Sequence, residues 1–253
     1  MAGLRYAVLG SGSSANSYIF ENNDFSFIID NGFSLKELTR RAGVAGFDLS
    51  KVSFILLTHT HSDHFKGVGT LSRKYKIPVV VHHYLPDEDF KKMNPYSRMD
   101  VVPGKEYNLD SLTIIPFSTS HDACCPLGFY FVFGEETFML LTDTGTVSDE
   151  MRNLAARTTI LFLESNYSEE LLMTGSYPGF LKNRISSNKG HLSNDDAIEF
   201  LNSMKDSTPN MVYLCHLSDS NNSPAYIKED LKLKLKWKGN IKICNKGEIY
   251  ESN

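Results

Sequence analysis

Three histidines and one aspartate occupy six consecutive positions in the run Thr58-His59-Thr60-His61-Ser62-Asp63-His64. Imidazole and carboxylate are the ligands expected of zinc, and of manganese or iron in similar surroundings. The run follows Phe54-Ile55-Leu56-Leu57, an apolar stretch that reads as a buried strand opening into a loop. On extended backbone His59 and His61 point to the same side. Ser62 can cap a following helix, and Asp63 falls in its first turn, where a negative charge suits the helix dipole. Asp63 and His64 leave that turn towards a second point, so two metal positions are conceivable from one short segment.

Other chemistry-bearing residues also follow apolar runs. His121 in Ser120-His121-Asp122-Ala123 comes after the run Leu112 to Phe117, and beside the first cluster it is the expected third ligand of one metal. Asp143 leaves a hydrophobic strand into a glycine-containing turn, which suits a carboxylate bridging two metals or one that satisfies the turn. Asp30 ends the strand that begins at Phe25 and can open the turn at Asn31-Gly32. His191 lies just ahead of a helix capped by Ser193 or Asn194, an anion-binding place. It could donate to a phosphate, protonate a leaving oxygen or serve only the cap region. The loop Ser11-Gly12-Ser13-Ser14-Ala15-Asn16 is a turn by composition, although its hydroxyls and amides could also meet a phosphate. His82 and His83 have no partner motif and read as structural or exposed.

His-x-His-x-Asp-His after an apolar strand resembles the signature of the metallo-β-lactamase superfamily. The Ser-Gly-Ser-Ser-x-Asn loop and the Ser-His-Asp-Ala run are similar to those of its YycJ/WalJ type. The matching motifs extend from residue 10 to residue 222. The resemblance implies a four-layer αβ/βα sandwich, α/β in class, with two mixed sheets and helices outside, formed by residues 1–253 as one domain. It implies two divalent metal ions, zinc first, with manganese or iron as alternatives. His59, His61 and His121 would hold one ion, Asp63, His64 and His216 the other, and Asp143 would bridge them. Asp30 would support the ligands from behind. Asp63 would also handle the proton of an attacking water, and His191 would be the acid at the leaving group. Ser13, Ser14, Asn16 and Ser193 would contact substrate. The family usually has glycine before its last ligand, where this chain has Cys215.

The elements that must position these residues alternate strand and helix, which supports an α/β class directly. Strands are expected at 4–10, 16–21, 25–30, 53–58, 79–81, 107–119 (a hairpin), 128–133, 137–141, 160–163, 211–214, 241–244 and 248–250. Helices are expected after Ser34, from Ser62 to about Tyr75, at 86–93, 148–156, after Ser193 and from Pro224. Residues 167–190 carry Lys182, Arg184 and Lys189 among Ser, Asn and Gly, and read as a solvated loop or a path for an anionic substrate.

With 253 residues, 41% hydrophobic and 22% charged, the chain can bury a large core without staples. Its four cysteines lack disulfide spacing and suggest reduced thiols in the cytoplasm. No export signal is evident at Met1 to Tyr6, and no run is long enough for a membrane span. A net charge of −4 argues against strong nonspecific nucleic-acid binding, although bound metals would make a site locally positive.

The resemblance implies a 5′-to-3′ DNA exonuclease, with nucleic acid as partner. The alternative enzyme is a thioester or small-ester hydrolase similar to glyoxalase II, and the alternative outside enzymes is a metal-binding regulatory protein. The interval from His121 to Asp143 leaves little room for an RNase Z arm, and Asp143 to His216 is too short for a β-CASP insertion.

Overall fold

The structure, a computed structural model, describes residues 4–22, 25–204 and 208–252. The first three residues, part of the segment read for an export signal, lie outside them. The chain packs as two compact units.

The first unit takes in the described residues up to Lys105, a short return at Ala123–Leu127 and the segment from Gly247 onward. Its strands β1 (Arg5–Gly10), β2 (Ser17–Glu21), β3 (Ser26–Ile29), β4 (Val52–Leu56), β5 (Pro78–His82) and β6 (Ser97–Val101) lie side by side in chain order. The first three pair antiparallel, and β3 to β6 run parallel. Parallel pairing sends the C-terminal ends of β3 and β4 to one edge, in the register Ile29 opposite Leu56. Helix α1 (Leu35–Val44) is capped by Ser34, as its spacing predicts. The helix expected across Ser62 to Tyr75 is instead two, α2 (Ser62–Phe65) and α3 (Val68–Tyr75). The break falls at Gly67, whose amide donates to the Asn31 carbonyl at 2.8 Å. A Cβ there would lie 1.9 Å from the Phe33 carbonyl oxygen, so the chain passes too close for any other residue. Helix α4 (Asp87–Met93) completes the unit's helices. Leu9, Ile19, Ile28, Ile55, Leu71 and Val79 form the centre of its core.

The second unit runs over Glu106–Asp122 and Gly128–Lys246. It holds β7 (Tyr107–Leu109), β8 (Leu112–Ser118), β9 (Leu127–Phe133), β10 (Glu136–Leu141), β11 (Ile160–Glu164), β12 (Met211–Cys215) and β13 (Asn240–Ile243), again adjacent in chain order. β10 to β13 are parallel, with Leu141 opposite Leu163 and Glu164 opposite Cys215. Three strand ends therefore reach one edge together. The helices are α5 (Asp149–Ala155), α6 (Glu169–Thr174), α7 (Gly179–Ile185), α8 (Asn194–Asn202) and α9 (Pro224–Lys234). Met139, Leu161, Leu163, Phe200 and Val212 anchor a separate core. Burying one such side chain contributes about 1.5–3 kcal/mol. A last strand, β14 (Tyr250–Glu251), returns to the first unit and pairs with β1.

Candidate metal centre

Asp30, Asp143 and His216 share a backbone feature that the sequence does not announce. Their φ values are 58°, 56° and 57°, in the left-handed region that non-glycine residues seldom enter. Lys76 and Asn94 also enter it, but there the turn closes a helix. Asp30, Asp143 and His216 instead follow β3, β10 and β12 directly or within two residues. The reversal costs about 1–3 kcal/mol each, and such strain clusters at functional sites.

In the first unit Asp30 is fully buried and accepts three hydrogen bonds. They come from the Thr58 amide at 2.8 Å, the Thr58 hydroxyl at 2.7 Å and His64 Nδ1 at 2.7 Å. Because Thr58 gives its only hydroxyl proton to Asp30, it accepts from His59 Nδ1 at 2.9 Å. Both histidines thereby carry the proton on Nδ1 and present the Nε2 lone pair, the form a metal ligand requires. Burial is the largest influence on Asp30 and raises its carboxyl above the usual range, against the pull of His64 and Thr58. The rings of His59 and His61 are 4.7 Å apart, and His64 Nε2 lies 3.3 Å from Asp63 Oδ2. Leu127 donates to the Thr58 carbonyl at 2.9 Å and holds the loop from below.

Asn16 is buried and sits among these residues. Its Nδ2 lies 3.1 Å from Asp63 Oδ2 and 3.0 Å from His64 Nε2. The amide presents the positive end of its dipole to both lone pairs, as a cation would. Asn16, expected against substrate, thus stands beside two of the candidate ligands. Ser13 and Ser14 are exposed on the same loop.

The second unit gathers its residues from five places. His121 donates from Nδ1 to the Gly190 carbonyl at 2.9 Å, leaving Nε2 as its lone-pair nitrogen. That nitrogen is 3.6 Å from Asp143 Oδ1, and His216 Nε2 is 3.4 Å from the same oxygen. At the end of β11, fully buried Glu164 offers Oε1 to His191 Nδ1 at 2.7 Å and to His216 Nδ1 at 3.2 Å. Its Oε2 takes the Thr144 amide at 3.0 Å and the Leu192 amide at 3.2 Å. An ionised carboxylate only accepts, so it fixes the proton of His191 on Nδ1, while His216 Nδ1 faces both this carboxylate and the Asn166 amide at 3.0 Å. Asn166 then serves the His216 carbonyl at 2.7 Å. Burial opposes ionisation of Glu164, but pairing with His191 and then His216 outweighs it and holds the carboxyl below the usual range. Asp143, Glu164, His191 and His216 offer ligand atoms within 4.8 Å of one another.

Glu164 and Asn166 have no role in the sequence reading, although Glu164 ends an apolar strand as Asp30 does. Ser193, expected against substrate, is fully buried. Its hydroxyl donates to Asp196 Oδ2 at 2.7 Å and accepts from the Asp196 amide at 3.0 Å, so it belongs to the cap of α8. His82 and His83 stack on each other, with ring centroids 4.6 Å apart, and join none of the candidate ligand groups among the described residues. Of the six histidines in the two clusters, His59, His64 and His121 thus have Nδ1 on a buried acceptor and Nε2 turned to the candidate ligand side, while His191 shares Glu164 with His216 and stays part-exposed. Both donor sets fit divalent cations.

Residues 26–217 match the family model described as a beta-lactamase superfamily domain. The chain is 36% identical over 225 residues to the exodeoxyribonuclease WalJ of Streptococcus pneumoniae (serotype 2, strain D39 / NCTC 7466), covering 87% of this chain and 84% of that protein. It is 33% identical over 257 residues to the exodeoxyribonuclease YycJ of Bacillus anthracis, covering 98% and 94%. Among solved structures, the metallo-beta-lactamase fold protein YhfI of Bacillus subtilis superposes with a TM-score of 0.75 at 18% identity, over 98% of this chain and 99% of that one. No helix among the described residues is long and apolar enough to cross a membrane. With two mixed sheets, their helices and these matches, the chain belongs to the beta-lactamase superfamily and, within it, to the family of the WalJ and YycJ exodeoxyribonucleases.

Proposed function

We propose that the chain is a dinuclear-metal-dependent phosphodiesterase that removes nucleotides from DNA in the 5′-to-3′ direction. The observation that carries this reading is the set of histidines, His59, His64 and His121, held on Nδ1 by buried acceptors in both units. His59, His61 and His121 would hold one ion, Asp63, His64 and His216 the second, with Asp143 shared. Bound divalent ions, zinc foremost, lower the pKa of a coordinated water and offset charge growing on phosphoryl oxygens. Asp63 orients the attacking water and accepts its proton. His191, once protonated, keeps Nδ1–H on Glu164 and donates from Nε2 to the leaving oxygen. Glu164 holds that ring in place and stabilises its positive charge. Asn16 positions the Asp63 carboxylate. The four cysteines are free thiols, which supports work in the cytoplasm. Fold alone does not choose a substrate. The names of the two curated relatives support DNA.

The test is digestion of 5′-phosphorylated duplex DNA by metal-replete chain, beside Asp63→Ala and a chelator. Stepwise release from the 5′ end, lost in both controls, is the expected result. Intact DNA and RNA under zinc, manganese and iron, with turnover of a thioester, would move the chain to small-ester hydrolysis.

A further inference from the structure

Helix α7 has no buried residue. Phe180, near its start, is 76% exposed, the same as Leu233 and more than any other large hydrophobic residue among those described. Isolated exposed apolar residues are ordinary on protein surfaces. Phe180 differs in the frame that holds it. The far end of its helix is bound to the ligand loops of the second unit. The His191 amide donates to the Ile185 carbonyl at 2.9 Å, and the Ser120 hydroxyl donates to the Asn188 carbonyl at 2.7 Å. A Cβ on Gly190 would stand 2.0 Å from the Ile185 oxygen, so the turn into His191 is packed backbone to backbone. His121 accepts its orientation from the same glycine. The α7 segment is therefore a rigid extension of the candidate catalytic residues, with its aromatic ring in solvent.

Along the chain, the charge on either side of that ring has one sign. Between Glu170 and Asp195 there is no acidic residue, while Lys182, Arg184 and Lys189 are present, in a chain whose net charge is −4. Arg184 pairs with Asp122 yet keeps half of its side chain in water. Lys182 donates to the Met173 carbonyl at 2.6 Å and braces α7 against the end of α6. An exposed aromatic face on a rigid cationic segment has the composition of a single-strand nucleic-acid platform, where a base stacks on the ring and phosphates meet the cations.

We propose that Phe180 is such a platform and stacks a base of the DNA strand being processed. The proposal rests on the nuclease reading above and names the surface by which the strand is gripped. Arg184 and Lys189 supply the phosphate contacts, and the ring supplies contact without sequence preference, as an exonuclease needs.

The experiment measures binding of a 5′-phosphorylated, fluorescein-labelled 12-nucleotide single strand by anisotropy with the metal-loaded chain, the strand joined by phosphorothioate linkages so that nothing is cleaved. Adding Phe180→Ala should weaken binding by about 5- to 150-fold, the effect of losing one stacked base. Phe180→Trp should restore it, which a merely structural role for the position would not predict. Equal affinity with and without the ring overturns the platform and leaves the nuclease reading standing. Failure of the metal-loaded chain to bind any DNA, single or double, sinks both together.

Discussion

Asp30 in the first unit and Glu164 in the second do the same work under opposite conditions. Each is a fully buried carboxylate at a strand end, and each fixes histidine protons on Nδ1. Burial pushes both towards the neutral form. Asp30 has one imidazole within reach, and its pKa stays raised. Glu164 has two, His191 and His216, and its pKa falls below the usual range. The number of imidazole partners, not depth, decides the sign. The first cluster is cut from six contiguous residues, and Asp30 and Asn16 steady it from other strands and loops of the same unit. The second is assembled from five separate segments, so its central carboxylate must hold more.

That contrast predicts unequal damage. Glu164→Gln should be the costlier change, because it leaves two imidazoles and two amides around a group that can no longer accept from all of them. We expect a loss of about 3 kcal/mol in urea unfolding of the metal-free chain, and His191-dependent turnover down by about 100-fold. Asp30→Asn should cost about 1–2 kcal/mol and weaken metal binding by about 10- to 100-fold. The two should also diverge with pH. Glu164 is depressed when folded, so its stabilisation is present above the ordinary value of 4.5 and is lost as pH falls below it. The gap between wild type and Glu164→Gln should widen from pH 4 to 7. Asp30 is raised when folded, so its contribution is full below the ordinary 3.8 and declines as pH rises through the folded value. The gap to Asp30→Asn should therefore narrow over the same range. Parallel curves for the two variants would break the comparison.

The smallest effect is reserved for a carboxylate with cationic partners at the surface. Glu37 bonds first with Arg40 and also with Arg41, and its pKa is lowered to about 2. Solvent screens this pair, so Glu37→Gln should cost under about 1 kcal/mol at pH 7. That difference should fade as pH drops from 4.5 towards 2.

Much of this was legible because the ligand-bearing loops follow apolar strands, and a strand that ends in histidine or aspartate is visible in one dimension. His59 to His64, His121, Asp143 and His216 stand out for that reason. What stayed hidden depends on three-dimensional partners. Glu164 is a single residue whose meaning comes from the β11–β12 register, which sets it opposite Cys215 and beside His216. Strand β6, Ser97–Val101, was not expected, because it is a polar edge strand with two exposed residues in its middle. Helices α6 and α7 fall where the sequence reads as loop, since α7 buries nothing and so has no apolar stripe. The division of Ser62 to Tyr75 into two helices turns on the closeness of Gly67 to Phe33 and Asn31, which no periodicity records.

The claim that both clusters serve divalent cations is tested most directly by counting metal. Native mass spectrometry of the purified, zinc-loaded chain should show two ions per chain, with fewer in Asp63→Ala and in His216→Ala. Retention of both ions in either variant, or DNA digestion at full rate by chain stripped of metal, would contradict the account.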